Sequence, residues 1–179
     1  MKQNKINPEL ISSDYAALNT ELHKDKLYGN SGWKYANDII QLSQDNGYKT
    51  VLDYGCGKGT FSEALRQKGS DLIVYEYDPA ISDKNAEPPA ADIVLCSDVL
   101  EHVEPEALDS VIAHIATKAE KAAFLYIATR AAKKTLPDGR NAHLTIQSGD
   151  WWTEALSKKF DIIHTVRKPW FIAVVAKPL

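Results

Sequence analysis

Val51-Leu52-Asp53-Tyr54-Gly55-Cys56-Gly57-Lys58-Gly59 decides the fold. Its first half, with Thr50, reads as a short strand. Its second half is a glycine-rich turn, and the Phe61, Ala64 and Leu65 that follow mark a helix stopping at Lys68-Gly69. Further on, Leu72–Tyr77, Ala91–Ser97 and Ala122–Thr129 read as strands. Leu108, Val111, Ile112 and Ile115 lie on one face of a helix between the last two. Strands alternating with helices imply a parallel sheet covered on both faces. A polar loop from Ala131 to Gly149 carries the turn signal Pro137-Asp138-Gly139, and Ser148 suits the cap of a helix through Trp152, Ala155 and Leu156. Phe160–Val166 and Trp170–Ala176 close the chain as strands. Lys168-Pro169 between them is too short for a helical crossover, so this pair must be an antiparallel hairpin.

Upstream, Pro8 suits a first helical turn, and Ile11, Tyr15, Leu18 and Leu22 recur with helical spacing over residues 8–25. A second helix is expected from Trp33 to about Gln44. The expected organisation is one domain over residues 1–179: a helical lead or lid over 1–47, and an α/β, doubly wound, Rossmann-like core over 48–179. The 179 residues suffice for one compact domain. Apolar residues at 44% and charged residues at 25% exclude general disorder. No apolar run approaches the roughly 18 residues needed to span a bilayer, and Met1-Lys2-Gln3-Asn4-Lys5 leads into none, so no secretory signal is expected. Cys56 and Cys96 form neither a disulfide framework nor a zinc signature, and a cytoplasmic location is the expectation. A net charge of −3 argues against a general nucleic-acid coat.

The glycine turn falls where parallel sheets bind ligands, at a strand's carboxyl end. A phosphate loop would need GxxxxGK followed by Ser or Thr; here Gly59 follows Lys58 and Leu52 occupies the first glycine position. A dinucleotide fingerprint would need a third glycine where Thr60 stands. The pattern that fits is DxGxGxG, formed by Asp53, Gly55, Gly57 and Gly59. Val74-Tyr75-Glu76-Tyr77-Asp78-Pro79 ends the next strand on acidic residues, and Ser97-Asp98-Val99-Leu100-Glu101-His102-Val103 follows the third.

In these three segments the chain resembles the class I S-adenosylmethionine-dependent methyltransferases, over roughly residues 30–179. The resemblance implies a cofactor site built from Asp53, Gly55, Cys56, Gly57, Gly59, Asp78, Ser97 and Asp98. Asp78 would chelate the ribose hydroxyls, with Glu76 the weaker candidate, and Asp53 could accept from the cofactor's ammonium group. It also implies seven strands with a C-terminal antiparallel hairpin. Here only Pro79–Ala90 separates Asp78 from the next strand, which leaves no room for a crossover, so six strands are expected with one edge strand lost. Cys96, Ser97 and residues 79–90 are then the nearest candidates for the adenine pocket.

Asp98, Glu101 and His102 are spaced to share one face of a helical turn, with His143 in a later loop at the same sheet edge. Asp98, Glu101, His102 and His143 resemble the metal site of quinone-biosynthesis O-methyltransferases and of small-RNA 3′-end 2′-O-methyltransferases. A divalent metal such as magnesium, a general-base or substrate-orienting role for His102 or His143 with Glu101 also a catalytic candidate, and a structural role all stand open. The implied activity is methyl transfer to a hydroxyl, amine or carboxylate of a small molecule. An RNA-terminus 2′-O-methyltransferase and a non-catalytic cofactor- or partner-binding module are the alternatives, the second drawing on an apolar edge strand that could also support a homodimer. Such compact chains resemble bacterial or phage-encoded enzymes. Ser97-Asp98-Val99-Leu100 lacks the Pro-Pro-aromatic signature of exocyclic-amine DNA methyltransferases. Arg130, Lys133, Lys134 and Arg140 in the loop that carries His143 suit either a solvated loop or an anionic substrate. Trp33, Tyr35, Trp151, Trp152 and Trp170 are candidate cleft walls.

Overall fold

The computed structural model describes residues 7, 9–25 and 28–179; Pro8 and Met1 to Lys5 lie outside them. Five α-helices and six strands are described: α1 (Ser13–Leu22), α2 (Ala36–Asn46), β1 (Thr50–Tyr54), α3 (Thr60–Gln67), β2 (Ile73–Tyr77), β3 (Ala91–Ser97), α4 (Leu108–Lys118), β4 (Ala119–Ala128), α5 (Gly149–Ser157), β5 (Phe160–Lys168) and β6 (Phe171–Pro178). They form one sheet in the order β2-β1-β3-β4-β6-β5. β1, β2, β3 and β4 run parallel, and β6 pairs antiparallel with both β4 and β5. This is the expected six-strand sheet with its terminal hairpin. β3 is buried at all seven positions, as a central strand covered on both faces must be.

Alternation along the strands divides the core. Val51, Ile93 and Leu95 face α2 and α3, where Ile39, Phe61 and Leu65 pack. Leu52, Val94 and Cys96 face α4 and α5, where Ile112, Ile115, Trp152 and Leu156 pack.

Strand order reverses between β1 and β3, so the loops leaving these two strands splay apart and open a crevice above the sheet. Asp92 holds the opposite end of that strand pair. Its carboxylate accepts from Lys49 N at 2.7 Å and Thr50 N at 3.0 Å, and pairs with Lys121 Nζ at 2.7 Å. The Lys121 bond and these amides hold its carboxyl well below the usual carboxylate range. A depressed carboxylate contributes stability that is present above the unfolded value of about 3.9 and is lost as pH falls through the folded value. Asp92→Asn is therefore expected to flatten the stability curve below about pH 4, a window that urea melts at stepped pH resolve.

Several element boundaries differ from expectation. The helix expected over 8–25 spans Ser13–Leu22, because the Ser12 side chain caps it by accepting from Tyr15 N. The second helix is split: a 3-10 turn over Gly32–Tyr35 precedes α2, which ends at Gly47 with φ of 72°. The fourth strand begins three residues earlier than expected, at Ala119. Ser148 caps α5 by accepting from Trp151 N. Residues 79–90 contain turns and no strand, with the Asp78 amide closing one turn on the Lys84 carbonyl. No helix among the described residues is long and apolar enough to cross a membrane.

Candidate active site

The glycine turn is shaped by close backbone approach. Gly57 has φ of +50°, and a Cβ there would stand 2.6 Å from the Gly29 carbonyl oxygen. Only glycine tolerates both the left-handed backbone and that neighbour. The Lys58 amide donates to the same carbonyl at 2.8 Å, so the chain between α1 and α2 is seated on the glycine turn. Gly55 N and Cys56 N both donate to the Tyr77 carbonyl, which fixes the turn to the end of β2.

That end of β2 carries Glu76 and Asp78, and the structure separates them. Glu76 accepts from Ser62 Oγ at 2.6 Å and pairs with Lys84 Nζ at 2.9 Å, away from the crevice. Asp78 faces the crevice, accepting from Gly57 N and Ala80 N at 3.0 Å each, with His23 Nε2 at 3.9 Å. Burial pushes the Asp78 carboxyl up against the lowering effect of His23. The His23 ring is pushed down by its own burial, and among the described residues its Nδ1 has no partner.

A cavity of about 550 Å³ runs from this point to the loop after β4. Gly55, Gly57, Asp78, Asp98, His102 and His143 line it. Asp53, Cys56, Gly59, Ser97 and Glu101 do not; they form the layer behind. Asp53 is buried near Glu76 and Lys84, and burial pushes its carboxyl up to about 8. The Cys56 thiol turns toward the Gly57 carbonyl, and burial raises it too. Of the adenine candidates, Pro79 and Ala80 reach the cavity, whereas Cys96 and Ser97 remain in the sheet.

The second constellation forms without one of its expected members. Glu101, His102 and His143 each offer a ligand atom, all within 4.8 Å of one another. Asp98 is not among them. Its φ of 54° and the irregular backbone of Val99 (φ −127°, ψ −53°) keep residues 98 and 99 out of the short 3-10 turn Leu100–His102, so the spacing of three and four no longer aligns side chains. Asp98 instead accepts from Ser31 Oγ at 2.7 Å and lies 3.4 Å from the Tyr35 hydroxyl.

The remaining three are tightly organised. Glu101 is wholly buried; Oε1 accepts from Ala128 N at 2.9 Å, and among the described residues Oε2 has no partner. Burial, with Asp98 nearby, pushes its carboxyl up to about 8. His102 Nδ1 lies 2.7 Å from the Ala142 carbonyl and His143 Nδ1 lies 2.5 Å from the Arg130 carbonyl. A carbonyl can only accept, so each ring donates from Nδ1, and in the neutral imidazole Nε2 is then left as the acceptor. The rings meet edge to face at 4.7 Å, and burial, followed by the neighbouring His143 ring, pushes His102 down to about 4.

The aromatic candidates divide. Tyr35 and Trp170 line the cavity. Trp152 is core, and Trp33 and Trp151 are exposed and off its wall. His23, Ser31 and Lys34 also line it. No spacing in the sequence marks them, because the fold of the N-terminal segment brings them there.

A profile of the methyltransferase domain family matches residues 32–165. The chain belongs to this family. A curated relative, the ubiquinone biosynthesis O-methyltransferase of Photorhabdus laumondii, is 31% identical over 90 residues; the match covers 37% of this chain and 38% of the relative. The methyltransferase fold also matches solved structures. One is the Burkholderia thailandensis 1,6-didemethyltoxoflavin-N1-methyltransferase with 1,6-didemethyltoxoflavin and S-adenosylhomocysteine bound, at a TM-score of 0.64 and 16% identity over 92% of this chain and 89% of that one. Another is the magnesium protoporphyrin IX methyltransferase of Synechocystis PCC 6803 with S-adenosylhomocysteine bound, at 0.64 and 20% over 97% and 100%.

Asp78→Ala removes the carboxylate just after β2 that faces the cavity of this methyltransferase domain. The charged acceptor it takes away is worth about 1.5–3 kcal/mol, so S-adenosylhomocysteine affinity measured by calorimetry is expected to fall roughly 10- to 150-fold.

Proposed function

We propose that this chain is an S-adenosylmethionine-dependent methyltransferase that methylates a hydroxyl group of a small molecule. One observation carries the reading: a single cavity joins the glycine turn and Asp78 to His102 and His143. The cofactor lies at the first end, its ribose on Asp78 and its adenine near Pro79, Ala80 and Val99. Asp53 supports the glycine turn from behind, and Cys56, Gly59 and Ser97 shape it without touching the ligand. Residues before β1 close the site, with His23 beside the ribose position. The two buried free cysteines suit a reducing cytoplasm.

A sulfonium methyl is already activated, so the main task is to align a nucleophile with it. A hydroxyl also needs its proton removed or its oxygen polarised. Glu101, His102 and His143 are suited to this. The buried Glu101 Oε2, unpartnered among the described residues, and one ring nitrogen each of His102 and His143 fit a divalent cation. Two imidazoles in the donor set favour a transition-type ion over magnesium. Such an ion would supply Lewis-acid polarisation of the acceptor oxygen. The chain's own part is to present those three donors, with the carbonyls of Ala142 and Arg130 fixing the ring orientations.

Transfer of labelled methyl from S-adenosylmethionine to a panel of phenols, alcohols and amines tests the reading, with metal content of the same samples measured by plasma mass spectrometry. Labelled methyl ethers among the products are expected. Label on amines alone would refute the hydroxyl assignment.

A further inference from the structure

The end of the cavity away from the glycine turn has a chemistry of its own. Tyr35, Tyr126 and Trp170 line it, and the Tyr126 ring is held by stacking on Phe171 at 4.6 Å. Thr129 N donates to the Trp170 carbonyl at 3.0 Å, which sets the indole beside the strand end that leads into Arg130. Three cations stand at the same mouth: Lys34 from the 3-10 turn, and Arg130 and Lys133 from the loop after β4. Among the described residues none of the three has a carboxylate within 4.0 Å. The neighbouring cations do: Lys134 pairs with Asp25, and Arg140 with Asp138. The carboxylate that lines this end, Asp98, is engaged by Ser31. The mouth therefore carries an excess of positive charge above aromatic faces, and an anion on a flat ring would complement both features.

We propose that the methyl acceptor is a hydroxylated aromatic compound bearing a carboxylate or similar anionic group. Its ring lies against Tyr126 and Trp170, and its anion points to Lys34, Arg130 and Lys133. This rests on the methyltransferase reading and specifies its substrate. Each rim cation, being exposed, adds little alone; three together give about a tenfold preference for the anion.

Calorimetric titration of matched pairs tests it: 4-hydroxybenzoate, 3,4-dihydroxybenzoate and 4-hydroxyphenylacetate, each against its own methyl ester. The protein is used with and without S-adenosylhomocysteine. The acids are expected to bind about tenfold more tightly than the esters. That preference is expected to vanish in a Lys34→Gln, Arg130→Gln variant and to shrink with added salt. Esters binding as well as acids in every pair, or neither binding, would overturn the proposal. Failure to take up S-adenosylhomocysteine, whatever the acids do, counts against the methyltransferase reading instead.

Discussion

His143→Ala is expected to lower kcat/KM by about 10²- to 10⁴-fold, the range over which a positioned acid–base or ion-binding group acts. The ring is partly exposed in a surface loop, so its loss should leave the fold standing. What it removes is one of the three ligand atoms within 4.8 Å of one another, and the one oriented by the Arg130 carbonyl. S-adenosylhomocysteine affinity should be retained, because among the described residues no hydrogen bond or ring contact joins His143 to Asp78 or to the glycine turn. Stopped-time transfer assays and a calorimetric titration on the same preparation separate the two effects. An unchanged rate would remove the cluster from the chemistry and leave it a structural role.

Trp152→Ala is expected to destabilise the protein by about 3–5 kcal/mol, the cost of truncating a fully buried large aromatic. Trp152 is wholly buried in α5 and packs within the core formed with α4 and the sheet. For a chain of this length that corresponds to a fall in melting temperature of about 6–20 °C. Trp152→Phe should cost much less. The indole Nε1 has no hydrogen-bond partner, so the smaller ring gives up volume without stranding a polar group. Thermal melts of the two variants beside the parent check both expectations. Equal, small effects would mean that α5 contributes little to the core.

What could be read from the sequence follows from how local each signal is. The terminal hairpin was legible because so short a connection admits only antiparallel pairing. The loss of an edge strand was legible because residues 79–90 are too few for a crossover. The sequence prefers Asp78 over Glu76 from its place at the strand's end; in the structure Lys84 and Ser62 occupy Glu76, while Asp78 lines the cavity. Asp98 was misplaced because i, i+3 and i, i+4 reasoning presumes a helix, whereas the backbone turns left-handed at that residue. Asp53 and Ser97 sit in the right segments yet behind the cavity wall, since strand-end residues alternate between facing the ligand and facing the core. His23 and Lys34 were invisible, because tertiary packing of the N-terminal segment alone brings them to the glycine turn and the cavity mouth.

The central claim is that this cavity binds S-adenosylmethionine through the glycine turn and Asp78. Isothermal titration of the folded protein with S-adenosylmethionine and S-adenosylhomocysteine tests it most directly, with Asp78→Ala as the paired sample. One site per chain is expected for each ligand, weakened in the variant. Absence of binding by a protein that melts cooperatively, or equal affinity in parent and variant, would contradict the account.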